Sequence, residues 1–311
     1  MSSISSFMLR FVVEEPVVFQ SFSGFAACGI FYNLVRGVDE GFAEKLHSSR
    51  RLAPWASSPI FVEFPPPSRI VYRALQAPSI ANVTFAVMDG KLSDVFREAI
   101  LKPDLHIDLV DVKAKVVSVS VNTHKFSDVF SNADPLLVKF AVKFLTPTVF
   151  RRSVYDCCIY CPYYTEYVQA AREGKPLERP CKYAVRCKGI TVPLPIPSLM
   201  FKNLARLWSA FSGINLDVWG ATRWAENAIV IAGFPKPGIR TLRVYEHPSK
   251  WIAGFMGTVR FAVREDVYEE KYAKIAVALL KMAEITNVGV GRTAGLGMVK
   301  YIPSQKEDKT D

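Results

Sequence analysis

Several familiar signals are scarce or missing in this chain. Its start, MSSISSFMLRFVVEEP, has no basic segment followed by an apolar stretch, so no secretory leader is expected. Glutamine is scarce beside abundant Glu, Lys and Arg, a composition that leans toward a thermophile. Histidine occurs 4 times in 311 residues, so histidine chemistry has few places to sit. A long apolar run is nearly present, because no charge falls between Pro16 and Val35, about the length of a membrane-spanning helix. Gln20, Ser21, Ser23 and Asn33 interrupt it, and Pro16 and Gly24 mark a strand-to-helix junction. A buried helix after a strand is the better reading. The expectation is a cytoplasmic protein without membrane association, whose 6 cysteines are usually reduced.

What the chain does have is apolar mass and positive charge. Hydrophobic residues make up 50%, ample for a packed core, and the length fits two domains of about 150 residues. The formal net charge is +10, which favours a polyanionic partner, nucleic acid first.

The periodicities give an ordered series of elements. Ser6–Glu14 is apolar and β-rich, and Ser21–Arg36 follows with Phe25, Cys28, Phe31, Tyr32 and Val35 at helical spacing. Asp39 can cap a short helix ending at His47. Strands are expected at Ile60–Phe64 with Ile70–Leu75, at Ala81–Met88 and at His106–Val121, with a helix over Lys91–Leu101. This β-α-β-β-α-β order is the ferredoxin-like arrangement. The second half repeats it: a strand at Leu137–Arg151, a helix from Ser198 to Phe211, strands at Arg240–Tyr245 and Phe255–Val263, a helix over Val267–Ile285 and a last strand from Gly297 to Tyr301. The expected fold class is α+β, two tandem ferredoxin-like (RRM-like) domains at 1–125 and 136–311, joined through a polar stretch near Asn122–Pro135. A cysteine-containing insert at 155–197 interrupts the second, and a basic cleft is expected between the two.

Before the last strand, residues 287–298 read Asn-Val-Gly-Val-Gly-Arg-Thr-Ala-Gly-Leu-Gly-Met. The order is wrong for a dinucleotide fingerprint, whose glycines follow a strand and open a helix, and the Gly-Lys-Ser/Thr ending of a phosphate loop is absent. Gly289, Gly291, Gly295 and Gly297 leave backbone N–H groups able to approach phosphate oxygens, with Arg292 and Thr293 adding a charged fork and a hydroxyl. A tight helix-to-strand connection needing positive φ explains the same glycines equally well.

That loop, at the end of the last helix of a second ferredoxin-like domain, resembles the CRISPR-associated repeat endoribonucleases of the repeat-associated mysterious protein (RAMP) superfamily, as an archaeal-type member. The resemblance extends to Phe144-Leu145-Thr146-Pro147-Thr148, to Pro193–Phe201 with Arg206 and Trp208, and to Gly254-Phe255-Met256-Gly257. Ile30–Asn33 and Ala43–His47 fit it in the first half. It implies cleavage of CRISPR precursor RNA within repeats without metal or cofactor. The ribose 2′-OH attacks the adjacent phosphate, giving a 2′,3′-cyclic phosphate and a 5′-OH. CRISPR repeat RNA is then the partner, with other CRISPR-associated proteins or a second copy as further ones. A non-catalytic RNA-binding subunit of a CRISPR effector complex is the alternative.

Such chemistry needs a base, an acid and cations for the developing phosphorane charge. Histidine suits proton transfer near neutral pH, and by family position His47 is the catalytic candidate. Tyr32 falls where some relatives place a tyrosine, although it also fits an apolar helix face. A lysine expected after the histidine is replaced by Ala53, so Arg51 is the candidate for its charge and Arg50 for RNA binding. His106, His124 and His247 read as structural. In the insert, Cys158-x-x-Cys161 with Cys181 and Cys187 could form a structural zinc site; disulfides and free thiols are the other readings, with Cys157 left over. The interleaved tyrosines beside Arg151, Arg152, Lys182 and Arg186 could stack on RNA or pack the insert.

Overall fold

The computed structural model describes residues 2–48, 52–65, 68–135, 138–152, 169, 173, 190–247 and 249–303. The first half is built on strand Ser3–Val13, where strict alternation sends Phe7, Leu9, Phe11 and Val13 to the core. It lies between strands Ser79–Val87 and Val112–Lys125, antiparallel to both. Phe61–Phe64 pairs on the far side of Ser79–Val87. Numbered by their place in the motif, the four strands run in the order 2-3-1-4 across the sheet. Helices α1 (Ser23–Arg36) and α3 (Gly90–Ile100) complete this half, contributing Ala27, Ile30, Phe31, Val35, Leu92 and Phe96 to its core. Between them in the chain comes α2 (Glu40–Ser48).

Helix α4 (Phe126–Ser131) follows the first sheet directly. The second sheet repeats the order 2-3-1-4, with Ile229–Gly233, Lys250–Val263, Lys139–Thr148 and Val299–Pro303 as neighbours; Ile239–His247 also pairs on Lys250–Val263. Helices α5 (Pro197–Phe211), α6 (Val218–Ala228) and α7 (Glu270–Thr286) pack on it. The molecule is thus two tandem ferredoxin-like folds of mixed α and β structure. Among the described residues no helix is long and apolar enough to cross a membrane.

Three sequence expectations change here. The single strand expected over His106–Val121 is a hairpin of His106–Leu109 and Val112–Lys125, turning at Val110, whose φ is 60°. The stretch near Asn122–Pro135 is no polar linker: the strand continues to Lys125, and Phe126 of α4 is fully buried edge-on to Trp208 at 5.3 Å between ring centroids. Ile4, Ala86 and Met88 join that same second core. Helix α6 was not expected; Asp217 caps it by accepting the Gly220 N–H at 2.8 Å.

Candidate active site

Tyr32 and His47 are brought together by the first two helices. In α1, Phe31 and Val35 point into the core, and Tyr32 is turned to the margin, half-buried. Its phenol is pushed above the usual tyrosine range by burial first and by Cys28 one turn earlier. The hydroxyl is therefore a proton-bearing donor at neutral pH. In α2, Asp39 accepts the Phe42 N–H at 2.8 Å and fixes the helix start. Ala43 is buried, Phe42 and Leu46 are half-buried against the first core, and His47, the next residue, is exposed. The His47 ring stands edge-on to Tyr32, with centroids 5.2 Å apart and planes at 70°. On its other side Tyr32 meets Trp55 edge-on at 5.6 Å, and Trp55 is stacked on Phe31 at 3.7 Å. Arg50 and Arg51 lie outside the described residues.

The glycine loop turns out to be mainly a joint. Gly289, Gly291, Gly295 and Gly297 all have positive φ, from 69° to 86°. A Cβ on Gly297 would lie 1.8 Å from the Val288 carbonyl oxygen, and one on Gly295 would lie 2.6 Å from the Pro59 nitrogen in the first half. Their absent side chains make room for this protein's own backbone. Most of the loop's donors are used internally: Gly289 N–H to Asn203 Oδ1 at 2.8 Å, Val290 N–H to Val149 O at 2.8 Å and Gly297 N–H to Pro147 O at 3.1 Å. Among the described residues, the N–H groups of Gly291, Arg292 and Thr293 are left out of this internal bonding.

Arg292 departs most from expectation. Its side chain is buried, donating to Thr286 O at 3.0 Å and to Ala53 O at 2.8 Å. Burial lowers its pKa to about 10, so it remains a cation at neutral pH, satisfied by carbonyls. Expected as a fork on an RNA phosphate, the guanidinium instead ties the loop to the segment leading from α2. Ser57 Oγ donates to Thr293 O at 2.8 Å and Asn287 Nδ2 to Ser57 O at 2.8 Å, so the joint is held in several places. At Gly24, an added Cβ would meet the Ala294 carbonyl oxygen at 2.0 Å, so α1 starts directly against the loop.

A pocket of about 390 Å³ opens beside this joint. Helix α5 lines it with Leu199, Lys202, Asn203 and Arg206, which share one face at the i, i+3, i+4, i+7 spacing. Leu52, Ala53, Phe150, Arg151 and Gly289–Thr293 complete its lining. Arg151 and Arg206 are exposed and Lys202 half-exposed, so the pocket presents basic groups to solvent. It begins only five residues after His47 in the chain. The sequence reading had assigned Lys202 and Asn203 no role, although their polar stripe against buried Met200, Phe201, Leu204 and Ala205 was a usable signal. The insert cysteines Cys157, Cys158, Cys161, Cys181 and Cys187 lie outside the described residues. Among the described residues no three His, Cys, Asp or Glu side chains cluster to hold a metal ion.

The sequence pattern of the family described as CRISPR-associated endoribonuclease Cas6 matches residues 142–299. No curated protein matches the chain. Among solved structures, a Cas6 product complex matches with a TM-score of 0.69 and 21% identity, covering 97% of this chain and 100% of that one. Thermus thermophilus Cas6 matches with a TM-score of 0.65 and 18% identity over 97% of this chain and 99% of its own. The product of a Cas6-related gene from Pyrococcus furiosus gives 0.55 and 12%, over 97% and 100%. At these identities the structural likeness is one of fold.

Proposed function

This chain belongs to the CRISPR-associated endoribonuclease Cas6 family, and from that premise we propose that it cuts CRISPR precursor RNA within its repeats by metal-independent attack of a ribose 2′-OH. The observation that carries the reading is the Tyr32–His47 pair, two polar rings 5.2 Å apart a few residues from a basic pocket. His47 takes the proton of the attacking hydroxyl. The 2′-oxygen bonds to phosphorus, the bond to the 5′-oxygen breaks, and that oxygen takes a proton from water, leaving a 2′,3′-cyclic phosphate and a 5′-OH. Tyr32, kept protonated by burial, donates a hydrogen bond to the phosphorane as its charge develops.

Position 53 holds alanine and its carbonyl is taken by Arg292, so no cation comes from there. We assign that charge to Arg51, with Arg50 beside it on the RNA, and to Lys202, Arg206 and Arg151 around the pocket. Gly289 and Gly291 line the pocket, Gly295 and Gly297 let the loop behind it close on the protein's own backbone, and the free N–H groups of Gly291, Arg292 and Thr293 face phosphate oxygens. Arg292 and Thr293 thus serve RNA through their backbone.

The test is incubation with cognate repeat RNA in EDTA, followed by analysis of product ends. Cleavage leaving 2′,3′-cyclic phosphate supports the proposal. Binding without cutting overturns it and assigns the chain to the non-catalytic RNA-binding subunits. Cleavage that EDTA abolishes overturns the metal-independent step.

A further inference from the structure

The Tyr32–His47 pair is placed by rings alone. Among the described residues, neither the Tyr32 hydroxyl nor the His47 imidazole makes a hydrogen bond to another group. Tyr32 meets three rings edge-on: Phe31 at 6.2 Å, Trp55 at 5.6 Å and His47 at 5.2 Å between centroids. Phe31 is its neighbour in α1, and His47 is exposed at the end of α2. Trp55 is the one of the three that comes from a strand, and it is fully buried.

That strand, Trp55–Ser57, is clamped. It pairs with Ser79–Val87, setting Trp55 opposite Val87, and Met88 N–H donates to Pro54 O at 2.8 Å. The glycine loop grips the same segment, because Arg292 donates to Ala53 O, Asn287 Nδ2 to Ser57 O and Ser57 Oγ to Thr293 O. The indole is stacked on Phe31 at 3.7 Å with planes 12° apart. Its N–H has no acceptor among the described residues, and a buried donor without a partner costs stability that a phenylalanine would not. What the larger indole supplies is area enough to stack on Phe31 and meet Tyr32 at once.

We propose that Trp55 is the positioning residue of the cleavage site, setting the Tyr32 ring, and through it His47, in register with the glycine loop. The inference rests on the reaction proposed above for Tyr32 and His47. Trp55 reaches no reacting atom and acts through Tyr32. Its strand is tied to the loop whose free N–H groups face phosphate, so one rigid segment fixes the proton-transfer pair relative to the RNA backbone. Placement of this kind governs rate, since a displacement of about 1 Å costs on the order of 10²-fold.

The test sets Trp55→Phe beside Phe96→Leu, a control that trims another buried ring stacked on Phe31. Single-turnover cleavage of repeat RNA, RNA affinity and the urea midpoint are measured for both. Trp55→Phe should slow cleavage at least about tenfold while RNA affinity holds, the mark of an interaction spent on the chemical step. Phe96→Leu opens a hole in the same core and should cut at the normal rate. A second readout needs no cleavage. In the full-length chain with isotope-labelled histidine, the His47 ring signal, identified by its loss in His47→Ala, should move in Trp55→Phe and stay in place in Phe96→Leu. Normal cutting by Trp55→Phe, equal slowing by both variants, or a His47 signal unmoved in folded Trp55→Phe overturns the proposal. If the unmodified chain does not cut repeat RNA, the proposed reaction fails, and the His47 signal alone decides whether Trp55 sets the pair.

Discussion

Arg292 Nη2 donates to the Ala53 carbonyl at 2.8 Å, across 239 positions of sequence. Nη1 is held by Thr286 O at 3.0 Å, so one side chain locks the end of α7 to the segment leading from α2. Arg292→Ala should accordingly act on stability. It leaves two acceptors short of a donor and opens a cavity, a cost of roughly 2–4 kcal/mol. Urea unfolding measures this directly. If stability is unchanged while the salt dependence of RNA binding falls, Arg292 contacts phosphate and its buried geometry has been misread.

The glycines of the same loop should separate by what lies behind them. Gly295 has φ of 69° and would bring a Cβ to 2.6 Å from the Pro59 nitrogen, which is backbone and cannot swing away. At Gly291 the nearest atom is the Leu296 Cδ1 at 2.7 Å, the end of a flexible side chain. Both substitutions to alanine pay the left-handed penalty of about 1 kcal/mol, but Gly295→Ala should lose clearly more. Thermal unfolding of the two variants side by side gives the comparison, and equal losses would show that the contact at Pro59 yields.

Much of this architecture is legible in the sequence because alternation and helical spacing are direct records of burial. Phe7, Leu9 and Phe11 against Ser6, Met8 and Arg10 give the first strand, and the duplicated order of elements gives the fold. The hairpin turn at Val110-Asp111 lacks the Asn-Gly or Asp-Gly signal of tight turns, and only the slip of the apolar positions from odd (Ile107, Leu109) to even (Val112, Ala114) marks it. The pairing of Tyr32 with His47 came only from family position; no spacing rule says that α2 folds back beside α1. The fate of Arg292 was not legible at all. A buried arginine is recognised only when its acceptors are known, and Ala53 O comes from the opposite half of the chain. The face of Lys202, Asn203 and Arg206 on α5 was readable as a polar stripe, but only the fold shows that it lines one pocket with Ala53.

Lys202 and Arg206 should govern how tightly RNA is held. Each phosphate neutralised contributes about 0.7 to the slope of log K against log salt for single strands. Lys202→Ala with Arg206→Ala should therefore weaken repeat binding and lower that slope by roughly 1 to 1.5. Filter binding at several salt concentrations reads both quantities. Weaker binding with an unchanged slope would mean that the helix face acts through shape and not through charge.

Tyr301 predicts a pH effect far from the RNA site. Burial above all, with help from Asp134 and Glu284, raises its pKa to about 12. The unfolded phenol titrates near 10. The folded state thus holds the proton more tightly, and the stabilisation is complete below about pH 10 and disappears as pH rises through about 12. Tyr301→Phe has no proton to lose and should show a smaller drop in its urea midpoint between about pH 9 and 11.5. Parallel curves for the two proteins would remove Tyr301 from the alkaline transition.

The decisive prediction concerns the two facing rings. His47→Ala should cut the single-turnover cleavage rate by about 10²–10⁴-fold, the usual worth of a positioned proton-transfer group, while repeat RNA still binds. Tyr32→Phe keeps the edge-on ring contact, 5.2 Å between centroids, and removes only the hydroxyl. If that hydroxyl donates to the phosphorane, cleavage should fall by about tenfold, the equivalent of one net hydrogen bond. If Tyr32→Phe cuts at the normal rate and Tyr32→Ala does not, the ring only positions His47. Normal cutting by His47→Ala would move the chemistry away from this pair altogether, because α1 and α2 would then be holding a histidine against Tyr32 with no proton to transfer.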